Sequence, residues 1–172
     1  MTKADIVPIE VIENNIYLIR GQKVMLDRDL AILYGMETRA LKQAVKRNEN
    51  RFPVDFMFIL TKEELNLLVS QNVIPSKSYF GGAEPYVFTE HGILMLSSVL
   101  NSQKAIDVNI RIMRAFIKLR AVIAAHKELA GKLSELERKY EGHDVNIQQI
   151  FNAIKLLMKP PMKHSKRIGF RA

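Results

Sequence analysis

The stretch Asp27-Arg-Asp-Leu-Ala-Ile-Leu-Tyr-Gly35-Met-Glu-Thr38-Arg-Ala-Leu-Lys-Gln-Ala-Val-Lys-Arg-Asn48 decides the fold, because it holds the parts of two short helices joined by a sharp turn. Asp27 is suited to cap a helix over Arg28 to Tyr34, and Gly35 to the left-handed conformation that ends one. Thr38 reads as the cap of a second helix running to about Asn48, and Phe52-Pro53 closes the segment. Ala31 is small enough for the helices to approach, and Leu41 and Val45 are placed to pack the second on the first.

At about 100° per residue, Leu41, Ala44, Val45 and Asn48 share one face of the second helix. Arg39, Gln43, Lys46 and, if the helix reaches it, Asn50 lie on the opposite face, with Lys42 and Arg47 on the flanks. An apolar face that anchors a helix, backed by long donor side chains, suits a recognition helix in the major groove of duplex DNA. Arg39 and Gln43, nearest the helix start, are the candidates for base edges. Lys46, Arg47 and Arg51 suit phosphates better. The competing reading is an ordinary amphipathic helix with a solvated basic face.

Upstream, Ile6 to Ile12 and Ile16 to Ile19 are rich in Ile and Val, and Arg20-Gly21-Gln22 leads into Lys23 to Leu26. These runs are predicted as strands, the last two forming a hairpin around the glycine. Downstream, Phe56 to Leu60 reads as a strand, Thr61-Lys-Glu-Glu64 as a capping box opening a helix to Ser70, and Gln71 to Pro85 as irregular. Tyr86 to Phe88 is a further strand and Thr89 the cap of a helix to about Leu100. Ser102 opens a long helix with Ile106, Ile110, Met113, Phe116, Ile117 and Val122 near helical spacing. Ile112, Met113, Phe116 and Ile117 read as core.

In the back half, Leu129, Leu133, Leu136, Tyr140, Ile147, Ile150, Ile154 and Leu157 follow a coiled-coil register when polar His143 fills one position. This predicts a homodimer seam, weakened by a bend or hinge at Gly142-His143-Asp144. An intrachain helical hairpin is the alternative. Pro160 and Pro161 end the helix, leaving a basic tail. The expected organisation is a domain over residues 6–120, a helical segment over 121–158 and a tail over 159–172.

The chain has 172 residues and a net charge of +8. Residues 1–125 carry 16 basic and 13 acidic residues, whereas 126–172 carry 10 and 5, so much of the excess is in the back. The absence of cysteine excludes disulfides, thiolate zinc sites and thiol nucleophiles. Four scattered histidines offer no local metal motif. No Walker-type or dinucleotide glycine loop occurs, and the acids Asp27, Asp29, Glu63 and Glu64 read as capping or first-turn residues. No enzyme, cofactor or metal is therefore expected. With neither a membrane span nor a signal peptide in the sequence, a cytoplasmic protein is expected.

Leu18-Ile-Arg-Gly-Gln-Lys-Val-Met-Leu-Asp-Arg-Asp-Leu-Ala31, Ala44-Val-Lys-Arg-Asn48, Arg51-Phe-Pro53 with Asp55-Phe-Met-Phe58, and Phe88-Thr-Glu-His-Gly92 through Met95-Leu-Ser-Ser-Val-Leu-Asn101 closely resemble the phage-type ORF-six N-terminal domain. That family is grouped with the KilA-N and Bro-N domains of phages and large DNA viruses. The resemblance spans about Ile6 to Arg120. It implies a small α+β DNA-binding domain of prophage-encoded and bacterial proteins, with antirepressor or regulatory roles. The family typically has Gln where this chain has His91, so no role is attached to that histidine.

The expected architecture is α+β: a small helix-turn-helix domain with short β-hairpins, followed by a long helical, coiled-coil-like segment. The expected function is prophage-related transcriptional regulation through double-stranded DNA. One alternative is an antirepressor that binds a repressor protein through its C-terminal helix. Another is nonspecific binding of nucleic acid, RNA included, driven by the tail.

Overall fold

Two short runs rich in Ile, Val and Leu pair as the strands β1 (Tyr17–Ile19) and β2 (Gln22–Leu26) of an antiparallel hairpin. Arg20 and Gly21 make the turn with φ of 52° and 72°, a left-handed path that glycine follows without a side-chain clash. The computed structural model describes residues 7–139 and 145–158. β2 continues an antiparallel sheet in the order β1-β2-β4-β3, where β3 is Met57–Ile59 and β4 is Tyr86–Thr89.

Successive residues of the central strands point to opposite faces and build two cores. Met25 and Phe88 join one with Leu30, Leu41, Val45, Ile93, Leu96 and Ile112. Val24, Leu26 and Val87 join the other with Phe58, Leu60, Leu68 and Ile74. The first core is formed with the helices α2 (Asp27–Tyr34), α3 (Thr38–Arg47), α5 (Glu90–Leu100) and the start of α6 (Gln103–Lys139). The second packs on α4 (Lys62–Ser70). Buried Asn109 ties three helices together: the Tyr34 hydroxyl donates to its Oδ1 at 2.5 Å, and its Nδ2 donates to the Ile93 carbonyl at 3.1 Å.

Several predicted boundaries match. Gly35 ends α2 with φ 67°, Thr61 and Glu64 form a complete capping box, the Thr89 side chain accepts from the Gly92 N–H, and the Ser102 hydroxyl accepts from the Ala105 N–H.

Four readings are corrected. Ile9–Asn14 is a helix, α1, rather than a strand, because Ile12 turns into the core while Glu10 and Val11 stay exposed. Asp27 is the first residue of α2 rather than its cap, and Thr38 is the first residue of α3, where the N-cap position belongs to Glu37 and carries no side-chain cap. Along α6, Ile117, read as core, faces outward at 60% exposure, as do Ile106 and Ile110 at 42% and 46%, whereas Ile112 and Phe116 are buried beside Ala105, Val108 and Ala115, and Met113 packs against them. Helical spacing alone cannot choose between two apolar faces; the smaller residues allow the closer approach.

The turn between β1 and β2 is fastened to the capping box. Arg20 holds Glu64 bidentately, Nε to Oε1 at 2.7 Å and Nη2 to Oε2 at 3.0 Å, and stacks over the Phe58 ring at 4.2 Å. This Arg20 bond is the main reason that the Glu64 carboxyl falls to about 2. Its folded-state value lies below its unfolded one, so its contribution is present above about pH 4.5 and is lost as pH falls towards 2. The expected loss is about 1 kcal/mol at most, since water screens Arg20 at 41% side-chain exposure. Urea unfolding of the native chain and Glu64→Gln between pH 6 and 2 checks it: the stability gap should close with acid, and a constant gap refutes the assignment.

The backbone divides into two compact units, the second beginning at Leu119. Within the second unit, α7 (Val145–Met158) is linked to α6 by an ion pair of Lys155 with Glu137 at 2.7 Å. Leu133 is buried, while Leu129, Leu136, Ile150, Ile154 and Leu157 are exposed. Tyr140, the side chain of Ile147, the bend at Gly142 to Asp144 and the tail over 159–172 lie outside the described residues. No described helix is long and apolar enough to cross a membrane.

Candidate nucleic-acid interface

Leu41 and Val45 are 0% and 1% exposed, so α3 is held by its apolar edge. The opposite edge, Arg39, Gln43 and Lys46, is exposed, as is flanking Arg47. None of these four pairs with another described residue. Two turns of helix therefore offer free guanidinium, amide and ammonium donors to solvent. Asn50 and Arg51 are also exposed but lie beyond α3, in a 3₁₀ turn over Glu49–Arg51. Arg51 reaches back to Ser98 Oγ on α5 at 3.5 Å.

Lys42 belongs to a different environment. Its Nζ meets buried Asp27 Oδ2 at 3.1 Å, lies 4.8 Å from the centre of the Tyr86 ring and donates to the Glu84 carbonyl. Asp27 also accepts the N–H groups of Arg28 at 2.8 Å and Tyr86 at 3.0 Å. Burial pushes its carboxyl up, and the Tyr86 N–H and the Lys42 ammonium draw it partly back. Lys42 thus clamps α3 to the start of α2 and to the approach to β4, and its ammonium is engaged by groups of the chain itself.

Beside it, Asp29 receives the hydroxyls of Tyr17 at 3.1 Å and Tyr79 at 3.0 Å, and the Arg28 guanidinium covers the Tyr79 ring at 3.8 Å. Burial and the facing Asp29 carboxylate raise the Tyr17 hydroxyl well above the ordinary tyrosine range. A 3₁₀ turn over Lys77–Phe80 is drawn against α2 in this way. Between this turn and the first turn of α3 runs a groove of about 440 Å³, lined by Thr38, Arg39, Lys42, Tyr79 and Phe80. Sequence spacing could not reveal this arrangement, since Tyr79 and Tyr86 are dozens of residues from Asp27. Asp27 and Asp29 read as capping or first-turn acids, and nothing in their spacing points to these distant partners.

His91 stacks on Phe56 with ring centres 5.6 Å apart. Among the described residues no group of three His, Asp or Glu side chains is arranged to hold a metal ion.

The family model of the ORF6N domain matches residues 14–99, half of the chain. The chain belongs to the ORF6N domain family. It is a phage-associated family, and the matched span runs from the end of α1 through the sheet, α2 and α3 to α5. No curated protein and no solved structure matches the chain. Both the free cationic edge of α3 and the clamp beneath it lie inside the ORF6N span, whereas all of α6 and α7 follows it.

Proposed function

We propose that this ORF6N protein is a prophage-related regulator that binds duplex DNA with α3 and acts without catalysis, cofactor or metal. The observation that carries the reading is the row of unpartnered donors Arg39, Gln43 and Lys46 opposite the buried pair Leu41 and Val45. Arg39 and Gln43 are assigned to base edges, and Lys46, Arg47 and Arg51 to phosphates. Asn50 is a flanking contact. Lys42 acts by positioning α3.

Regulators of this size commonly present two recognition helices to two half-sites. The exposed Leu129, Leu136, Ile150, Ile154 and Leu157 supply apolar surface for a homodimer. The same surface supports a second reading, an antirepressor that captures a repressor protein, because it needs no DNA contact.

Binding to a pool of duplex DNA at two salt concentrations tests the proposal, with the full chain compared to Arg39→Ala combined with Lys46→Ala. The double variant should bind at least roughly tenfold more weakly, with a shallower salt slope, since each lost phosphate contact releases fewer counterions. Unchanged affinity removes α3 from the interface. Sedimentation of Leu129→Asp with Leu136→Asp addresses the dimer: an unchanged mass excludes that seam.

A further inference from the structure

Three isoleucines of α6, Ile106, Ile110 and Ile117, fall within about 40° of one another around the helix and are 42%, 46% and 60% exposed. On α2, Ile32 is 65% exposed. Between the two helices runs a groove of about 780 Å³, whose walls include Ile32, Leu33, Val108 and Ile110. This volume is in the range that accepts several side chains of a ligand. All of the groove lies within the first unit, and it shares no residue with α3.

Its charge is one-sided. Lys104, Arg111 and Arg114 line the groove, against a single acid, Asp107, which already accepts from Gln103 Nε2 at 3.0 Å. Arg111 donates to the Val7 carbonyl at 3.2 Å. Lys104 and Arg114 pair with no acid among the described residues. A branched apolar floor beside unneutralised cations fits a helix with one apolar face and acidic flanks. It disfavours the chain's own basic end, where six cations and no acid follow Met158 or immediately precede it from Lys155 onwards.

We propose that the groove between α2 and α6 is a docking site for an acidic, amphipathic helical segment of another protein. A regulatory partner seated there leaves α3 uncovered, so capture of the partner and binding of DNA are separable. The site differs from the C-terminal seam, and the proposal stands whether or not α3 binds DNA.

A synthetic probe tests it on the full chain: a fluorescent amphipathic peptide of about 18 residues, or five helical turns, with leucines on one face and glutamates on its flanks. A charge-inverted peptide carries lysine in place of glutamate. The acidic peptide should bind and shift the methyl resonances of Ile32 and Ile110 while leaving buried Ile12 unmoved. Ile32→Ser with Ile110→Ser should weaken it roughly tenfold. Lys104→Glu with Arg114→Glu should weaken it similarly and gain affinity for the inverted peptide, a reversal that misfolding cannot produce. All four side chains are exposed, so the fold should survive, and circular dichroism checks this. The proposal is overturned if the acidic peptide fails to saturate by about 1 mM, or if both substituted chains bind it as the native one does. It is equally overturned if Ile32→Ser with Ile110→Ser lowers the sedimentation mass, which would make a second copy the occupant.

Discussion

Replacing Asp27 by Ala is expected to destabilise the first unit by about 3–5 kcal/mol, the range for breaking a buried ion pair from one side. Asp27 is 0% exposed and has three partners, the Arg28 and Tyr86 N–H groups and the Lys42 ammonium. Alanine leaves both amides without this acceptor and the ammonium without its counter-ion. Asp27→Asn should cost less, because the amide keeps one acceptor oxygen and carries no charge for burial to penalise, the penalty that pushes the Asp27 carboxyl up. Urea unfolding of both variants at pH 7 is the measurement. A loss under about 1 kcal/mol for Asp27→Ala would mean that the clamp carries little energy.

The same comparison separates two roles for Lys42. Lys42→Met keeps the aliphatic stem, whose side chain is only 19% exposed, and leaves Asp27 unpaired. Lower stability, with DNA affinity changing only in proportion to the folded fraction, is the outcome for a positioning residue. Intact stability with weakened binding would return Lys42 to the interface.

Lys42 also marks the limit of what helical spacing reveals. The outer edge of α3 was legible because Arg39, Gln43 and Lys46 recur at helical spacing and their environment is water, which requires no distant partner. Lys42 sits just off that edge, and what fixes it is Glu84, Tyr86 and Asp27, brought together only by the pairing of β2 with β4. The turns were legible for a related reason: Gly35, Thr61 with Glu64, and Thr89 act within a few residues of themselves. Ile9–Asn14 was not, since a short Ile- and Val-rich run satisfies strand propensity equally well and the core around Ile12 made the choice. Along α6, Ile112, Met113 and Phe116 lie in or against the core as expected, and Ile117 does not. Both the Ile106–Ile110–Ile117 stripe and the Ala105–Ile112–Phe116 stripe are apolar, and only one can face the sheet.

Gly92→Ala should be nearly as damaging as Asp27→Ala, for a steric reason in a different part of the fold. A Cβ at position 92 would lie 2.1 Å from the Phe56 carbonyl oxygen and 2.9 Å from its carbon. Backbone cannot swing aside as a side-chain end can. That oxygen is itself occupied, accepting the Thr89 N–H at 3.0 Å and lying 3.2 Å from the Thr89 hydroxyl. Displacing it disturbs the junction of β3 and β4 and the cap of α5 together. Overpacking alone costs about 1–3 kcal/mol, and loss of the Thr89 cap adds about 1 kcal/mol. α3 packs against α5, so the damage should spread to the recognition edge although Gly92 is remote from Arg39 in sequence. Thermal unfolding of Gly92→Ala beside Gly131→Ala gives the contrast. Gly131 has open space around its Cβ position and lies within α6, where alanine is the better helix former by up to about 1 kcal/mol. Gly131→Ala should hold or raise stability, whereas Gly92→Ala should lower it by several kelvin or more. Equal melting temperatures for the two variants would show that α5 can shift away from Phe56 at little cost, and the close approach would then not explain glycine at position 92.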